Sequence, residues 1–424
     1  MRVAILTSLK EFNTSYSLVS VVQGQAEALV KYGHQVGLFV CEHLDPETWE
    51  WCRVSPANRF SLINAIPEIE DRICYVKRSD LTPGHRNLAD NLHAGLKPLL
   101  ESYDVILTHD LIFTGWNMPY AEALMKLCAD LPDKPFFHWI HSIPGNRFDW
   151  WDLSLYGRNS TLVYPTSSDI FRVAERFKCS VRDALTVPHI VDLRIIDNFS
   201  AAGCAFINDY PALMSADVVQ IFPASSERLR GKGLDRLILA FSELKRRGHS
   251  VCLICANQHT NPQNRIENLQ WYRGIAERNG LRRGEFAFTS NWQGGRYSTG
   301  IPRTLLRDIS KCSNVFLNPS IAESFGLVTP EASLWGGVIP IHNESLDCQS
   351  EIAGGRGLYV KMGSFKAPWQ PRNEGVFFKD LADIIEDQLR RDQAAAQRTH
   401  YRQTLNMDFV YKQYYEPLLR KGLN

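Results

Sequence analysis

The sequence predicts an α/β protein built from two doubly wound, parallel-sheet domains in series, on three observations. Its 424 residues are too many for one small core and close to what two domains of ordinary size need. Short apolar runs alternate with segments of helical spacing, the signature of βαβ units, and the alternation starts afresh near residue 217. The composition, 44% hydrophobic and 22% charged, excludes a disordered, collagen-like or purely coiled-coil chain.

Residues 3–7 are an apolar run ending in a polar loop, so the N-terminus reads as a first strand and not as a signal peptide. Residues 19–32 carry apolar side chains at helical spacing before Gly33, and residues 36–40 are apolar again. Strand, helix, glycine stop and strand imply parallel strands joined by a right-handed crossover. The pattern continues with strands at 105–108, 136–140 and 161–164 and helices at 119–127 and up to Phe177, giving a first domain over residues 1–200. In the second domain, residues 215–404, strands are expected at 218–222, 251–256, 286–289, 315–317 and 338–341, with helices at 234–246 and 302–310. Pro188, Gly203 and Pro211 mark residues 187–215 as the linker. An amphipathic helix is expected at 380–398, and the aromatic, apolar segment 405–424 is expected to pack back on the first domain. Open parallel sheets bind ligands beyond the carboxyl ends of their strands, so the two domains are expected to face a central cleft.

Forty-seven Lys and Arg against 46 Asp and Glu leave a net charge of +1, so no overall field exists to hold a polyanion. Local cations gather around Arg228, Arg230 and Lys232, and again at Lys245, Arg246 and Arg247. The ten cysteines are scattered through apolar runs. Cys252 and Cys255 share one strand and so point to opposite faces, and no second Cys or His pair follows at zinc spacing, so no metal site is expected. Free buried thiols fit a cytoplasmic protein. No run of about 18 apolar residues occurs, which leaves only peripheral contact with a membrane.

The most informative stretch runs from Asn318 to Pro340 and contains Pro319-Ser320-Ile321-Ala322-Glu323-Ser324-Phe325-Gly326-Leu327, then Glu331-Ala332, and Gly336-Gly337 before the next strand. It leaves a strand, turns and enters a helix. Such a turn presents free N–H groups and a positive dipole end, suited to a phosphate or pyrophosphate, and Gly326 lets backbone come close to it. Were helix to cover the interval from Glu323 to Glu331, the carboxylates would stand about 12 Å apart along its axis, suited to two parts of an extended ligand.

This string resembles the retaining GT-B glycosyltransferases of family four, and the resemblance extends in weaker form over nearly the whole chain. It implies that Glu331 holds the nucleotide ribose hydroxyls, that Glu323 contacts the donor sugar, and that the segment Ser324, Phe325, Gly326, Leu327 and Val328 meets the sugar and phosphates. Lys232, directly before Gly233 and a helix, matches the family's diphosphate-binding lysine. The accompanying arginine is displaced: Ala224 and Ser225 stand in its place, leaving Arg228 or Arg230 to substitute. His141, in His138-Trp139-Ile140-His141-Ser142, matches a first-domain histidine that contacts the donor sugar, while His138 reads as part of the strand. Asn13-Thr14-Ser15-Tyr16-Ser17 replaces the family's paired glycines, and Val187-Pro188-His189-Ile190-Val191-Asp192 stands in altered form where the family closes its first domain.

The implied activity is transfer of a sugar from a nucleotide-diphosphate sugar to an acceptor hydroxyl with retention at the anomeric carbon, a diphosphate oxygen taking the acceptor's proton. The sequence has no Asp-x-Asp, so Lys232 and a helix N-terminus are expected in place of a metal, with no cofactor beyond the donor substrate. Trp116, Trp139, Trp150 and Trp151 lie in acceptor-side segments, and aromatic faces stack on sugars or on bases, which admits a carbohydrate, a lipid-linked glycan or a modified nucleic-acid base as acceptor. A catalytically silent GT-B binding subunit is the alternative of a different class. A nicotinamide-dependent oxidoreductase is disfavoured, because the first βα turn lacks Gly-x-Gly-x-x-Gly.

Overall fold

The structure, a computed structural model, describes residues 1–12, 17–44, 57–68, 78–112, 118–141, 152–259, 265–323, 326–368 and 371–422. The chain divides into two compact units, Met1–Val191 with Met407–Asn424, and Asp192–Asn406.

The first unit is built on seven parallel strands: β1 (Arg2–Leu6), β2 (Gln35–Cys41), β3 (Phe60–Ile66), β4 (Val105–His109), β5 (Phe136–Trp139), β6 (Ser160–Tyr164) and β7 (Ala184–Thr186). They lie in the order β3-β2-β1-β4-β5-β6-β7, with Val3 opposite Val105 and Ile5 opposite Leu107. The order reverses between β1 and β4, the switch point of a doubly wound sheet. Val3, Ala4, Ile5, Leu6, Ile106 and Leu107 are fully buried, as continuous apolar runs must be when helices cover both faces. The edge strand β3 is mostly half-exposed, with polar Ser61 and Asn64 breaking its apolar run, which explains its weak signal in the sequence. The helix Pro83–Leu100 starts at Thr82, whose hydroxyl accepts from the His85 amide while the His85 ring accepts from the Thr82 amide. This is a reciprocal cap with histidine in place of the usual Glu or Gln.

The C-terminal residues complete this unit. Asp408 accepts from Lys31 at 2.6 Å and from Tyr32 at 2.8 Å, and Tyr411 stacks on Tyr32 with ring centroids 3.7 Å apart. Those contacts fasten the segment to the helix Ser17–Lys31.

The second unit holds β8 (Val218–Ser225), β9 (Val251–Gln258), β10 (Phe286–Phe288), β11 (Val315–Asn318), β12 (Ile339–Asn343) and β13 (Leu358–Val360). They form two parallel three-stranded sheets, β10-β9-β8 and β11-β12-β13. Side chains stitch β8 to the β11 region. The Gln220 amide donates to Leu317 O at 2.8 Å and accepts from Leu317 N at 3.0 Å. Asn314 Oδ1 takes the Val219 amide at 2.9 Å, and Ser313 Oγ takes the Ile221 amide at 3.1 Å. The resulting order repeats that of the first six strands of the other unit, so both units are Rossmann-like.

Three sequence expectations change. Residues 187–215, expected as the linker, contain the boundary between the units after Val191 but are mostly structured: they carry the short helices Leu193–Ile196, Ala201–Asp209 and Ala212–Ser215, with Phe199 and Phe206 buried and Arg194 paired to Asp192 at 2.7 Å. Gly203 sits inside a helix because a Cβ there would lie 2.6 Å from Asp308 Oδ2. The expected helix at 380–398 is two, Glu374–Arg391 and Gln393–Thr404, broken at Asp392, whose side chain caps the second. The cations at 245–247 are neutralised: Lys245 pairs with Glu285, Arg246 with Glu243, and Arg247 with Asp383 and Glu386. Cys252 and Cys255 are fully buried in separate apolar clusters, on the two faces of β9. Among the described residues no helix is long and apolar enough to cross a membrane.

Candidate functional site

At the carboxyl end of β8 the chain makes a tight turn, Ser226–Arg228, and continues to Gly233, where the helix Leu234–Arg246 begins. Gly233 has φ +73°, and a Cβ on it would fall 2.8 Å from Pro319 O. Only glycine lets this loop lie against the one after β11, where Ile321 N donates to Gly231 O at 3.0 Å. The close approach brings Lys232 Nζ onto the Glu323 carboxylate, the lysine side chain 20% and the glutamate 7% exposed. Both line a cavity of about 770 Å³, with Arg228 and Lys366 adding positive charge and Glu227 and Asp347 negative. Of the two arginines expected to substitute in diphosphate binding, Arg228 lines this cavity and Arg230 does not.

The helix after β11 is shorter than the sequence suggested, Val328–Gly336, so Glu323 precedes it and no helical rise separates the two carboxylates. Gly326 takes φ +81°, Leu327 is exposed, and Val328 opens the helix. Ser324 and Phe325 lie outside the described residues. Glu331 is in the first helical turn, but its carboxylate accepts from Arg303 at 2.6 Å, and Glu331 is not among the residues lining the cavity of Lys232 and Glu323. The guanidinium of Arg303 also stands over the Trp335 ring at 5.4 Å.

His141 belongs to the first unit, just beyond β5. Its backbone amide donates to Asp110 Oδ1 at 2.9 Å, and its Nε2 lies 2.9 Å from His109 Nδ1. The His109 ring, nearly parallel to it, and the tilted His189 ring both have centroids 5.1 Å away. Burial, helped by the neighbouring His189, pushes the His141 pKa down to about 3, and burial holds His109 well below its usual value too. Burial raises the Asp110 carboxyl to about 6, with the His141 amide opposing. These imidazoles are therefore neutral donors and acceptors near pH 7. His138 is a core residue, held between Thr108 Oγ1 at 2.8 Å and Ser160 Oγ at 3.2 Å. Trp139 is core as well, stacked on His109 and Tyr415. Trp116, Trp150, Trp151 and residues 13–16 fall outside the described residues. Among the described residues no group of three His, Cys, Asp or Glu side chains is arranged to hold a metal ion.

Sequence reasoning missed Arg303, Lys366 and Asp347, which follow no spacing rule, and His109. A signal existed for the last: polar side chains at the carboxyl ends of buried parallel strands face the ligand edge, but the expected strand stopped one residue short, at Thr108.

No protein-family model matches the chain, and no curated protein sequence does. Solved structures do. HepE from Anabaena in complex with UDP is similar at 13% identity and a TM-score of 0.33, over 99% of both chains. A Burkholderia xenovorans α,α-trehalose-phosphate synthase with glucose-6-phosphate is similar at 14% and 0.34, over 99% of this chain and 100% of that one. WaaG, a glycosyltransferase involved in lipopolysaccharide biosynthesis, is similar at 15% and 0.32, over 99% and 98%. A likeness of this size carries no argument of its own.

Proposed function

We propose that the protein is a metal-independent glycosyltransferase that moves a sugar from a nucleotide-diphosphate donor to an acceptor hydroxyl, with retention at the anomeric carbon. The observation that carries the reading is the pairing of Lys232 with Glu323 in a cavity that also receives Arg228, at the carboxyl ends of β8 and β11. A departing diphosphate gains negative charge as the sugar bond breaks, and two cations with the positive end of the helix Val328–Gly336 answer that need. In this reading the donor divides the ion pair, phosphate oxygens taking Lys232 and sugar hydroxyls taking Glu323. Glu331 holds the ribose, and the amides from residue 324 to 328 meet the sugar and phosphates. His141 supplies a neutral ring to a donor-sugar hydroxyl. The acceptor is a carbohydrate or lipid-linked glycan hydroxyl, and the buried thiols suit a cytoplasmic site of action.

Incubation with a panel of nucleotide sugars and glycan acceptors should release nucleoside diphosphate, and Lys232→Ala and Glu331→Ala should each suppress the release. No release from any pair, or release indifferent to both substitutions, overturns the reading. The anomeric configuration of the product, read by NMR, tests retention separately.

A further inference from the structure

A chain of buried hydrogen bonds crosses the switch point of the seven-stranded sheet. Gln25, on the helix Ser17–Lys31 that follows β1, donates from Nε2 to Tyr415 Oη at 3.1 Å. Its Oε1 lies 2.8 Å from Nε2 of His109, the last residue of β4, and His109 Nδ1 lies 2.9 Å from His141 Nε2. Gln25, His109 and Tyr415 are at most 2% exposed, so water does not compete for these bonds. Trp139 lies along the chain, stacked on His109 at 5.6 Å and on Tyr415 at 5.8 Å between centroids.

Buried donors and acceptors in series fix one another's polarity. With the Gln25 amide nitrogen engaged by Tyr415, its oxygen faces His109. An amide oxygen has no proton to give, so His109 Nε2 must donate. A neutral imidazole carries a single N–H, so His109 Nδ1 accepts, and His141 Nε2 must donate to it. His141 is thereby left with a bare Nδ1, which has no hydrogen-bond partner among the described residues. Its Asp110 contact anchors the backbone and leaves the ring free to be set by the relay.

We propose that Tyr415, Gln25 and His109 are positioning residues that hold His141 in its Nε2–H tautomer, so that its Nδ1 accepts a hydrogen bond from a ligand hydroxyl. The polarity follows from the orientation of the Gln25 amide and the neutrality of buried His109; only the owner of the hydroxyl, a donor sugar, rests on the proposed transferase reading. The C-terminal segment thus reaches the ligand edge through three hydrogen bonds without touching the ligand.

The experiment is long-range proton–nitrogen NMR on the full chain labelled with 15N-histidine, with His141→Asn assigning the signal. His141 is expected to show a protonated Nε2 and an unprotonated Nδ1 at pH 7. Gln25→Leu, which removes the acceptor for His109, should convert that single tautomer into a mixture, and the milder Tyr415→Phe should do so in part. A protonated Nδ1 in the unmodified protein, or a tautomer unmoved by Gln25→Leu, overturns the proposal. Neither measurement uses a nucleotide or sugar, so a relay that behaves as stated in a protein without transferase activity would sink the transferase reading alone. With an active donor, Tyr415→Phe should lower kcat/KM by about 5-fold, the worth of one hydrogen bond, and leave nucleoside diphosphate affinity unchanged. An equal loss of nucleoside diphosphate affinity would mark Tyr415 as merely structural.

Discussion

The two units share a strand order yet furnish their carboxyl edges with opposite chemistry. In the first unit the edge carries neutral rings and an amide, Gln25, His109, His141 and His189, linked by hydrogen bonds or ring contacts. In the second it carries ions, with Lys232 on Glu323 and Arg228, Glu227, Asp347 and Lys366 around them. A neutral buried network discriminates by the direction of each hydrogen bond, whereas an ionic one discriminates by charge. One scaffold therefore carries neutral hydrogen-bonding groups at one edge and ions at the other, which under the proposed function would read hydroxyls and phosphates respectively.

The sharpest break of that contrast is expected at Lys232. Lys232→Ala removes a cation aimed at developing negative charge and should cut nucleoside diphosphate release by about 10² to 10³-fold. His141→Ala should weaken transfer less, because a neutral contact gives up about one hydrogen bond. A larger loss at His141 than at Lys232 would reverse the assignment of charge and direction to the two edges.

Acid should separate the units next. His138 and His141 have folded pKa values lowered to about 3, so below the unfolded value of 6.5 the unfolded chain binds more protons and stability falls with pH. By pH 5 each contributes a loss of about 2 kcal/mol. Asp110, raised to about 6, works the other way: folded, it binds a proton that the unfolded chain releases, which returns about 1 kcal/mol by pH 5. His109 and His189, also lowered by burial, add to the loss. Hydrogen exchange followed from pH 7 to 5 should show β4 and β5 losing protection before β8 and β9. Equal loss in both sheets would remove the burial of neutral histidines as the cause.

A backbone probe follows in size. Gly233→Ala places a Cβ 2.8 Å from Pro319 O at φ +73°, and should lower thermal stability by about 1 to 3 kcal/mol while loosening the Lys232 loop. Gly95→Ala, inside the helix Pro83–Leu100 where nothing lies within 4 Å of the added carbon, should be neutral or slightly stabilising.

Legibility in the sequence followed burial and regularity. Strands such as β1, β4, β9 and β11 announce themselves because both faces are covered and each holds a continuous buried run of at least three apolar residues. The helix Leu234–Arg246 was readable to the residue from its amphipathic spacing after Gly233. The half-exposed β3 and the His85-capped helix after it were not, since neither carries the usual pattern. Within the site, Lys232 and Glu323 were legible as a motif. Their pairing depends on Gly233 against Pro319, a contact between loops about 90 residues apart that no local spacing encodes. The relay through Gln25 and Tyr415 joins residues 390 apart in sequence and was illegible for the same reason.

The smallest effect concerns the exposed ion pair beside the motif. Arg303 is 71% exposed, so its bond to Glu331 is screened by water and should be worth less than about 1 kcal/mol to stability. Its influence on ligand binding carries more information, because Arg303 occupies the carboxylate that the ribose is proposed to use. Glu331→Ala should weaken nucleoside diphosphate binding by at least about 10-fold, the loss of one charged hydrogen bond. Arg303→Ala should leave melting nearly unchanged and tighten the same binding by about 2 to 3-fold, since the carboxylate no longer has to exchange partners. Opposite signs in calorimetry for two residues joined by one 2.6 Å contact would identify the glutamate as the group that meets the ligand. Losses of equal size would instead make the intact pair the binding element, and the second edge would then read its ligand through a dipole as well as through net charge.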